Sequence, residues 1–322
     1  MNGQNLPRKG ASPIKACFKP RNGVLINGDL KQIEFRIAAE LSRDPVMMKE
    51  IKDGLDTHRA NAIEFFGAGE YPEDSQQFKD LRQVAKIFTF RLLFGGGAVG
   101  FFRDGSMPRY SLAKWQGIEK AYLEKYKGLR EWRNENVRKA YTDGYLRNPS
   151  GRILRFVPER KHGIWQINEA DVYNYPVQSS SADVMYLCMV ELRKRFRSNG
   201  IKSSVVLQVH DSVVIDAYPE EVNKICVMYE EMCKELPQLC KEYWGWDVDV
   251  PLGGDCEVGL DYGNTIPYNA KADATMCTVT YAKSKEEFFD ETYLVTTYIE
   301  LLANEQHNDY SKKFKVVKIK FK

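Results

Sequence analysis

Apolar positions along this 322-residue chain fall into two spacings, short unbroken runs and helical repeats, and together they predict a mixed helix-and-strand fold. Residues 23–27 form a short apolar run that ends in Gly28-Asp29, the pattern of a buried strand. From Gln32 the period becomes helical, with Ile33, Ile37, Ala38 and Leu41 on one side. Asp56-Thr57-His58 opens a helix to about Phe66, with Gly67 as its stop, and 67–75 reads as a loop. A long helix over 76–94 ends at Gly95-Gly96-Gly97. Another spans about 118–143 before Gly144, and 145–157 reads as a hairpin around Asn148-Pro149-Ser150-Gly151. A helix capped by Ser180 or Ser181 runs to Asn199-Gly200. The runs 204–209 and 213–217 flank His210-Asp211-Ser212 as a second hairpin. A helix over about 219–243 and a strand over 256–260 follow. After Gly263 the core pattern lapses. The last eleven residues carry six lysines in partial alternation, which suits an edge strand with a basic face.

Composition narrows the class rather than naming it. The length allows one large domain or two modest ones. Forty-seven Lys and Arg against 44 Asp and Glu leave a net charge of only +3, so any nucleic-acid surface must come from local clustering. No apolar run approaches the length of a membrane span, and the N-terminus lacks the apolar core of a secretory signal. Seven cysteines without a Cys-x2-Cys pair predict reduced thiols in a cytoplasmic setting, with neither zinc nor a disulfide framework. Cys226, Cys233 and Cys240 recur every seven residues, as small core residues on one helix face do.

Two carboxylates stand out. Asp29 and Asp211 each sit at the tip of a strand-like run, where solvation alone is a poor reason for an acid. Two Mg2+ ions bridged by aspartates are what nucleotidyl transfer requires, and Mg2+ prefers such hard oxygen ligands. Each could equally be a turn or capping residue, and the sequence leaves open whether they meet. Between them, Arg82, Lys86, Phe90 and Phe94 recur every four residues and form a stripe on one helix side. Its cations suit a triphosphate and Phe90 a base or sugar; the alternative is a solvated face with aromatic core anchors. The glycine run is not a phosphate-binding P-loop, because no Gly-Lys-Ser/Thr follows it.

In this order the three segments resemble motifs A, B and C of family A DNA polymerases, the polymerase I type. Motif A, Asp-x-Ser-x-x-Glu-x-Arg, is matched by Asp29-Leu30-Lys31-Gln32-Ile33-Glu34-Phe35-Arg36. Motif B, Arg-x3-Lys-x3-Phe-x3-Tyr-Gly, is matched by Arg82, Lys86, Phe90 and Phe94-Gly95, and motif C, His-Asp-Glu, by His210-Asp211-Ser212. Gln4-Asn5-Leu6-Pro7, Asp56-Thr57-His58 and the segment Asn174 to Asp183 match too, so the likeness covers about residues 4–263. The resemblance implies an α/β (α+β) right-hand fold: a palm with an antiparallel sheet over 1–45 and 158–264, helical fingers over 46–157, and an extension over 265–322. It implies dNTP addition to a primer 3′-OH on primer–template DNA. Two Mg2+ ions, with Mn2+ able to substitute, would be held by Asp29, Asp211 and the Leu30 carbonyl. His58, Arg82 and Lys86 would hold the triphosphate, with Gln32, Phe90 and Phe94 around the nucleotide. Glu34 would exclude a 2′-hydroxyl, while Asn174, Gln178 and His210 would face DNA.

The departures carry information. Ser212 stands where motif C has an acid, Lys31 where motif A has a small residue, Phe94 for a tyrosine, Thr89 for an asparagine and Ser179 for a glycine. Arg91 stands just past Phe90 where a small residue is usual; it either adds a phosphate contact or is merely exposed, and exposure is the expectation. Nothing in the chain resembles the family's thumb or 3′–5′ exonuclease, and no Thr-Gly-Arg-type segment precedes Gln4. The expectation is therefore a split polymerase of bacteriophage kind, its thumb and exonuclease supplied by a second polypeptide, in preference to a fragment of a longer chain. The alternatives are a noncatalytic primer–template binding subunit and an enzyme of the single-subunit RNA polymerase kind; intact acids and Glu34 argue against them.

Overall fold

The computed structural model of the chain describes residues 13–161 and 163–268 and, beyond them, the backbone of 276–282, 288–294 and 315–321. Gln4-Asn5-Leu6-Pro7 lies outside the described residues. The chain divides into two compact units: Met1–Lys31 with Met185–Leu236 and Leu252–Lys322, and Gln32–Val184 with Pro237–Pro251.

The first unit is built on a five-stranded antiparallel sheet in the order β6-β7-β1-β8-β9. β1 (Val24–Leu30) lies at its centre between β7 (Ser212–Ala217) and β8 (Gly254–Gly259), with β6 (Ser204–Val209) and β9 (Thr265–Tyr268) at the edges. The central place explains the apolar run: Val24, Leu25 and Ile26 are buried. One face of β1 packs on α9 (Val222–Trp244), whose Tyr229 ring occupies the space that a side chain at Gly28 would need. Cys226 and Cys233 are buried on this helix as the seven-residue spacing predicts; Cys226 pairs with Cys256 and Cys233 with Cys188 through thiol hydrogen bonds. On the other face Leu25, Val209, Val214 and Tyr262 form a second buried cluster. Beyond them β10 (Met276–Ala282) pairs with β11 (Phe288–Leu294) and β12 (Lys315–Phe321), and β12, the lysine-rich run, is an edge strand.

The second unit is helical: α1 (Ile33–Ser42), α2 (Pro45–Lys52), α3 (Thr57–Phe66), α4 (Gln76–Leu93), α5 (Ala98–Arg103), α6 (Leu112–Lys125), α7 (Lys127–Asp143) and the start of α8 (Glu169–Ser198). An aromatic core joins them, centred on Phe88, whose ring packs within about 6 Å of Phe66, Phe101, Trp115 and Tyr122. α3 ends as expected on Gly67 in the left-handed conformation, and Ser75 caps α4 by accepting from the Phe78 N–H. Two short hairpins complete it, β2 (Tyr145–Arg147) with β3 (Ile153–Arg155), and β4 (Glu159–Lys161) with β5 (Ile164–Gln166).

Two predicted helices differ. The helix expected over 118–143 is two, broken at Tyr126, whose backbone leaves the helical region and whose buried hydroxyl donates to Glu50 at 2.8 Å. The helix expected to begin at Ser180 or Ser181 begins at Glu169 and runs straight through Pro176. Neither serine caps it; Ser181 Oγ donates back to the Val177 carbonyl at 2.8 Å. Burial of Val172, Val177 and Val184 keeps the helix continuous despite the hydrogen bond that proline forfeits. The β2–β3 hairpin is fastened to this helix through buried Asp183, which accepts from Asn148 Nδ2 at 2.7 Å, from Ser150 Oγ at 2.6 Å and from Arg152.

Candidate active site

The two acids that sequence reasoning could not bring together are neighbours in the sheet of the first unit. Asp29 pairs with Ser212 on β7 and with Asp255 on β8. Strand alternation buries Gly28 against Tyr229 and leaves Asn27 and Asp29 half-exposed on the opposite face. Asp211 occupies the turn between β6 and β7 beside His210, which is exposed and takes a left-handed φ of 52°. That turn is pinned from three sides. The Leu30 N–H donates to the Asp211 carbonyl at 2.9 Å, Ser212 Oγ to the Val209 carbonyl at 2.9 Å, and Gln208 Nε2 to the His210 carbonyl at 2.6 Å. A main-chain bond therefore ties the residue after one acid to the other acid. The Tyr262 phenol registers both: burial raises it above an ordinary tyrosine, a hydrogen bond with the Ser212 side chain opposes that, and the charges of Asp29, Asp211 and Glu257 add to the rise.

Ser212 puts no carboxylate in this row; its hydroxyl donates to the Val209 carbonyl in the turn and is also hydrogen-bonded with Tyr262. At the far end Asp255 pairs with Lys31 at 2.6 Å, so the departure at Lys31 comes with its own counter-ion. Among the described residues no group of three or more His, Cys, Asp or Glu side chains is gathered as a cage for a metal. Two aspartates on neighbouring backbone segments offer a partial set of hard oxygen donors, which fits Mg2+, an ion that keeps much of its water.

The second unit holds the cationic helix. Arg82 Nε and Nη2 donate to Asp56 Oδ2 at 2.8 and 2.7 Å, and Asp56 also caps α3 by accepting from the Arg59 N–H at 3.0 Å. Burial pushes the Asp56 carboxyl up, but these bonds and the Arg82 charge outweigh it and hold it below the usual range. His58 is 3% exposed, its ring 5.5 Å from that of Phe90, and neither of its nitrogens has a hydrogen-bond partner. Burial, reinforced by the charges of Lys86 and Arg82 against that of Asp56, pushes its pKa down to about 4. Lys86 is exposed, and Phe90 stacks on Phe94 at 6.4 Å just past the end of α4. Arg91 is exposed as expected and pairs with Asp104, while Thr89 is buried and accepts from Asn61 Nδ2 at 3.1 Å. Gln32 takes a left-handed φ of 48° ahead of α1, and Glu34 lies in its first turn. Asn174 and Gln178 lie one turn apart on α8; the Asn174 Oδ1 is buried without a partner and Gln178 is exposed. Sequence reasoning missed the Arg82–Asp56 bond and the places of Asp255 and Tyr262 around Asp29. No local signal marks any of them, because each depends on how distant segments align.

A mixed helical and antiparallel-sheet fold with two carboxylates on adjoining strand ends defines the class, a polymerase-domain fold. A solved structure described as the POL domain of Pol1 from M. smegmatis in complex with DNA primer–template and dNTP superposes with a TM-score of 0.64 and 26% identity, over 82% of this chain and 45% of that one. The sequence model of DNA polymerase family A matches residues 1–264, and the chain belongs to that family. Among curated relatives it is 31% identical over 269 residues to DNA polymerase I of Caldicellulosiruptor bescii, covering 82% of this chain and 30% of that protein. It is 30% identical over 244 residues to DNA polymerase I of Lactococcus lactis subsp. lactis, covering 74% and 27%. The chain thus spans less than a third of the length of the curated relatives it matches. Among the described residues no helix is long and apolar enough to cross a membrane.

Proposed function

We propose that this chain carries the catalytic centre of a DNA polymerase, adding dNTPs to a primer 3′-OH under the direction of a template. The single observation behind this reading is the main-chain bond that fixes Asp211 beside β1 at Asp29. Asp29, Asp211 and the Leu30 carbonyl would hold two Mg2+ ions, or Mn2+ in their place. When bound, such ions activate the attacking hydroxyl and stabilise the leaving pyrophosphate.

The chain's own groups do the rest. Arg82, oriented by Asp56, grips the triphosphate with Lys86 and His58. Phe90 and Phe94 offer a stacked aromatic surface to the nucleotide, and Gln32 lies beside it. Glu34 crowds the sugar and disfavours a 2′-hydroxyl. Asn174, with its unpartnered acceptor, Gln178 and His210 face the primer–template. In this reading 1–45 and 158–264 are palm and 46–157 fingers.

Primer extension with Mg2+ tests the proposal. Asp29→Ala and Asp211→Ala each abolish extension, by about four orders of magnitude or more if both acids serve the metals, while primer–template binding persists. Extension that survives either substitution would leave a noncatalytic binding subunit as the better reading.

A further inference from the structure

We propose that triphosphate binding loads a proton onto His58, so that the nucleotide is held by an imidazolium where the free protein has a neutral ring. This deepens the function proposed above and rests on it. A neutral imidazole has one donor and one acceptor, and a buried ring ordinarily satisfies both. His58 satisfies neither, although it is 3% exposed in a well-packed helix pair. Bare nitrogens in such a place are set for a ligand that the free protein lacks.

The surroundings decide the charge. α3 contributes the ring itself and the capping Asp56, the one acid among the described residues whose charge acts on it, and that carboxylate already serves Arg82. α4 contributes Arg82 and Lys86, whose charges repel a third cation, and the apolar Phe90 ring. Burial first, and then these cations against Asp56, keep the free ring neutral at physiological pH. A triphosphate reverses the repulsion and opposes the effect of burial: it cancels the charges of Arg82 and Lys86 and brings anionic oxygens that accept charge-assisted hydrogen bonds. One proton from solvent adds to the bare ring nitrogen, and the imidazolium donates an N–H to a phosphate oxygen. No other bond forms or breaks. The binding constant then rises by up to about tenfold for each unit that pH falls between the ring's free and bound pKa values.

The experiment is calorimetric titration of the full chain with inorganic triphosphate, and with dATP on a dideoxy-terminated primer–template with Mg2+. It is run at pH 6.5 in three buffers of different ionisation enthalpy. The wild type takes up as much as about one proton more per ligand than His58→Gln, and its affinity falls more steeply between pH 6 and 8. Equal uptake and equal slopes overturn the inference. If His58→Gln does not fold, the wild-type imidazole resonances decide: one ring must pass from neutral to charged when triphosphate is added at pH 6.5, and no such change overturns it. Failure here with Asp29-dependent extension intact removes only the proton. Extension that survives Asp29→Ala and Asp211→Ala removes the parent function.

Discussion

Replacing Gly28 by alanine perturbs the packing directly beneath the candidate active site. A Cβ there would lie 2.7 Å from Cζ, 2.8 Å from Cε2 and 3.0 Å from Cε1 of Tyr229. Ordinary carbon–carbon contact is about 3.5–4.0 Å, so the ring must withdraw by roughly 1 Å. It has nowhere to go. Tyr229 is fully buried, and its Cε1 is only 2.7 Å from the position a Cβ would take at Gly254, a position equally close to Cys233 Sγ. Overpacking of this kind costs about 1–3 kcal/mol. For a chain of this size that lowers Tm by roughly 2–4 °C per kcal/mol. Urea and thermal denaturation read the cost, and a cycle with Tyr229 assigns it. Tyr229→Phe removes only a buried hydroxyl that has no partner, so it is neutral or stabilising by about 1 kcal/mol. The clashing atoms are ring carbons, so its effect adds to that of Gly28→Ala. Tyr229→Leu opens a cavity of its own but makes room for the methyl, and the double variant is less destabilised than the sum by about 1 kcal/mol or more. Gly28→Ala within about 0.5 kcal/mol of wild type, or strict additivity with Tyr229→Leu, would refute this account of how the sheet is packed.

Asp183→Asn costs about 2–3 kcal/mol by denaturation, because a buried acid loses its charge opposite Arg152. Burial raises the Asp183 pKa, but bonds from Arg152, Ser150 and Asn148 outweigh it and the net shift is downward. Its contribution is therefore complete above the unfolded-state value of about 4 and lost as pH falls through the lower folded value; the gap between wild type and variant is level from about pH 5 to 8 and closes in acid. Glu34→Ala raises rNTP use relative to dNTP use by about tenfold or more if the side chain crowds the sugar, equivalent to ~1.4 kcal/mol in the competing barriers; an unchanged incorporation ratio removes Glu34 from sugar choice.

What the sequence showed and what it hid divide along one physical line. The bounds of α3 and α4 are legible because they rest on Asp56, Ser75 and Gly67, capping residues within a few positions of the helix they bound. β6 and β7 are legible for the same reason, two apolar runs about a short polar turn. The start of α8 is not, because Pro176 argues locally for a break and only the burial of Val172, Val177 and Val184 overrules it. Tyr126 is likewise turned out of helix by its bond to Glu50, 76 residues earlier. At the candidate site each acid was visible as an oddity, an Asp at a strand tip, but their meeting is a property of register. Asp29 is brought beside Ser212 and Asp255 by ladders to segments about 180 and 230 residues away. A shift of one residue in the β1–β7 ladder would turn Asp29 toward the Tyr229 face and Gly28 toward the open one. Gly28 forbids that slip, because the ring beneath it leaves space for no side chain at all. The residue with no chemistry of its own thus fixes which face of β1 the carboxylate occupies, and a centre that needs two converging acids depends on it as directly as on either of them.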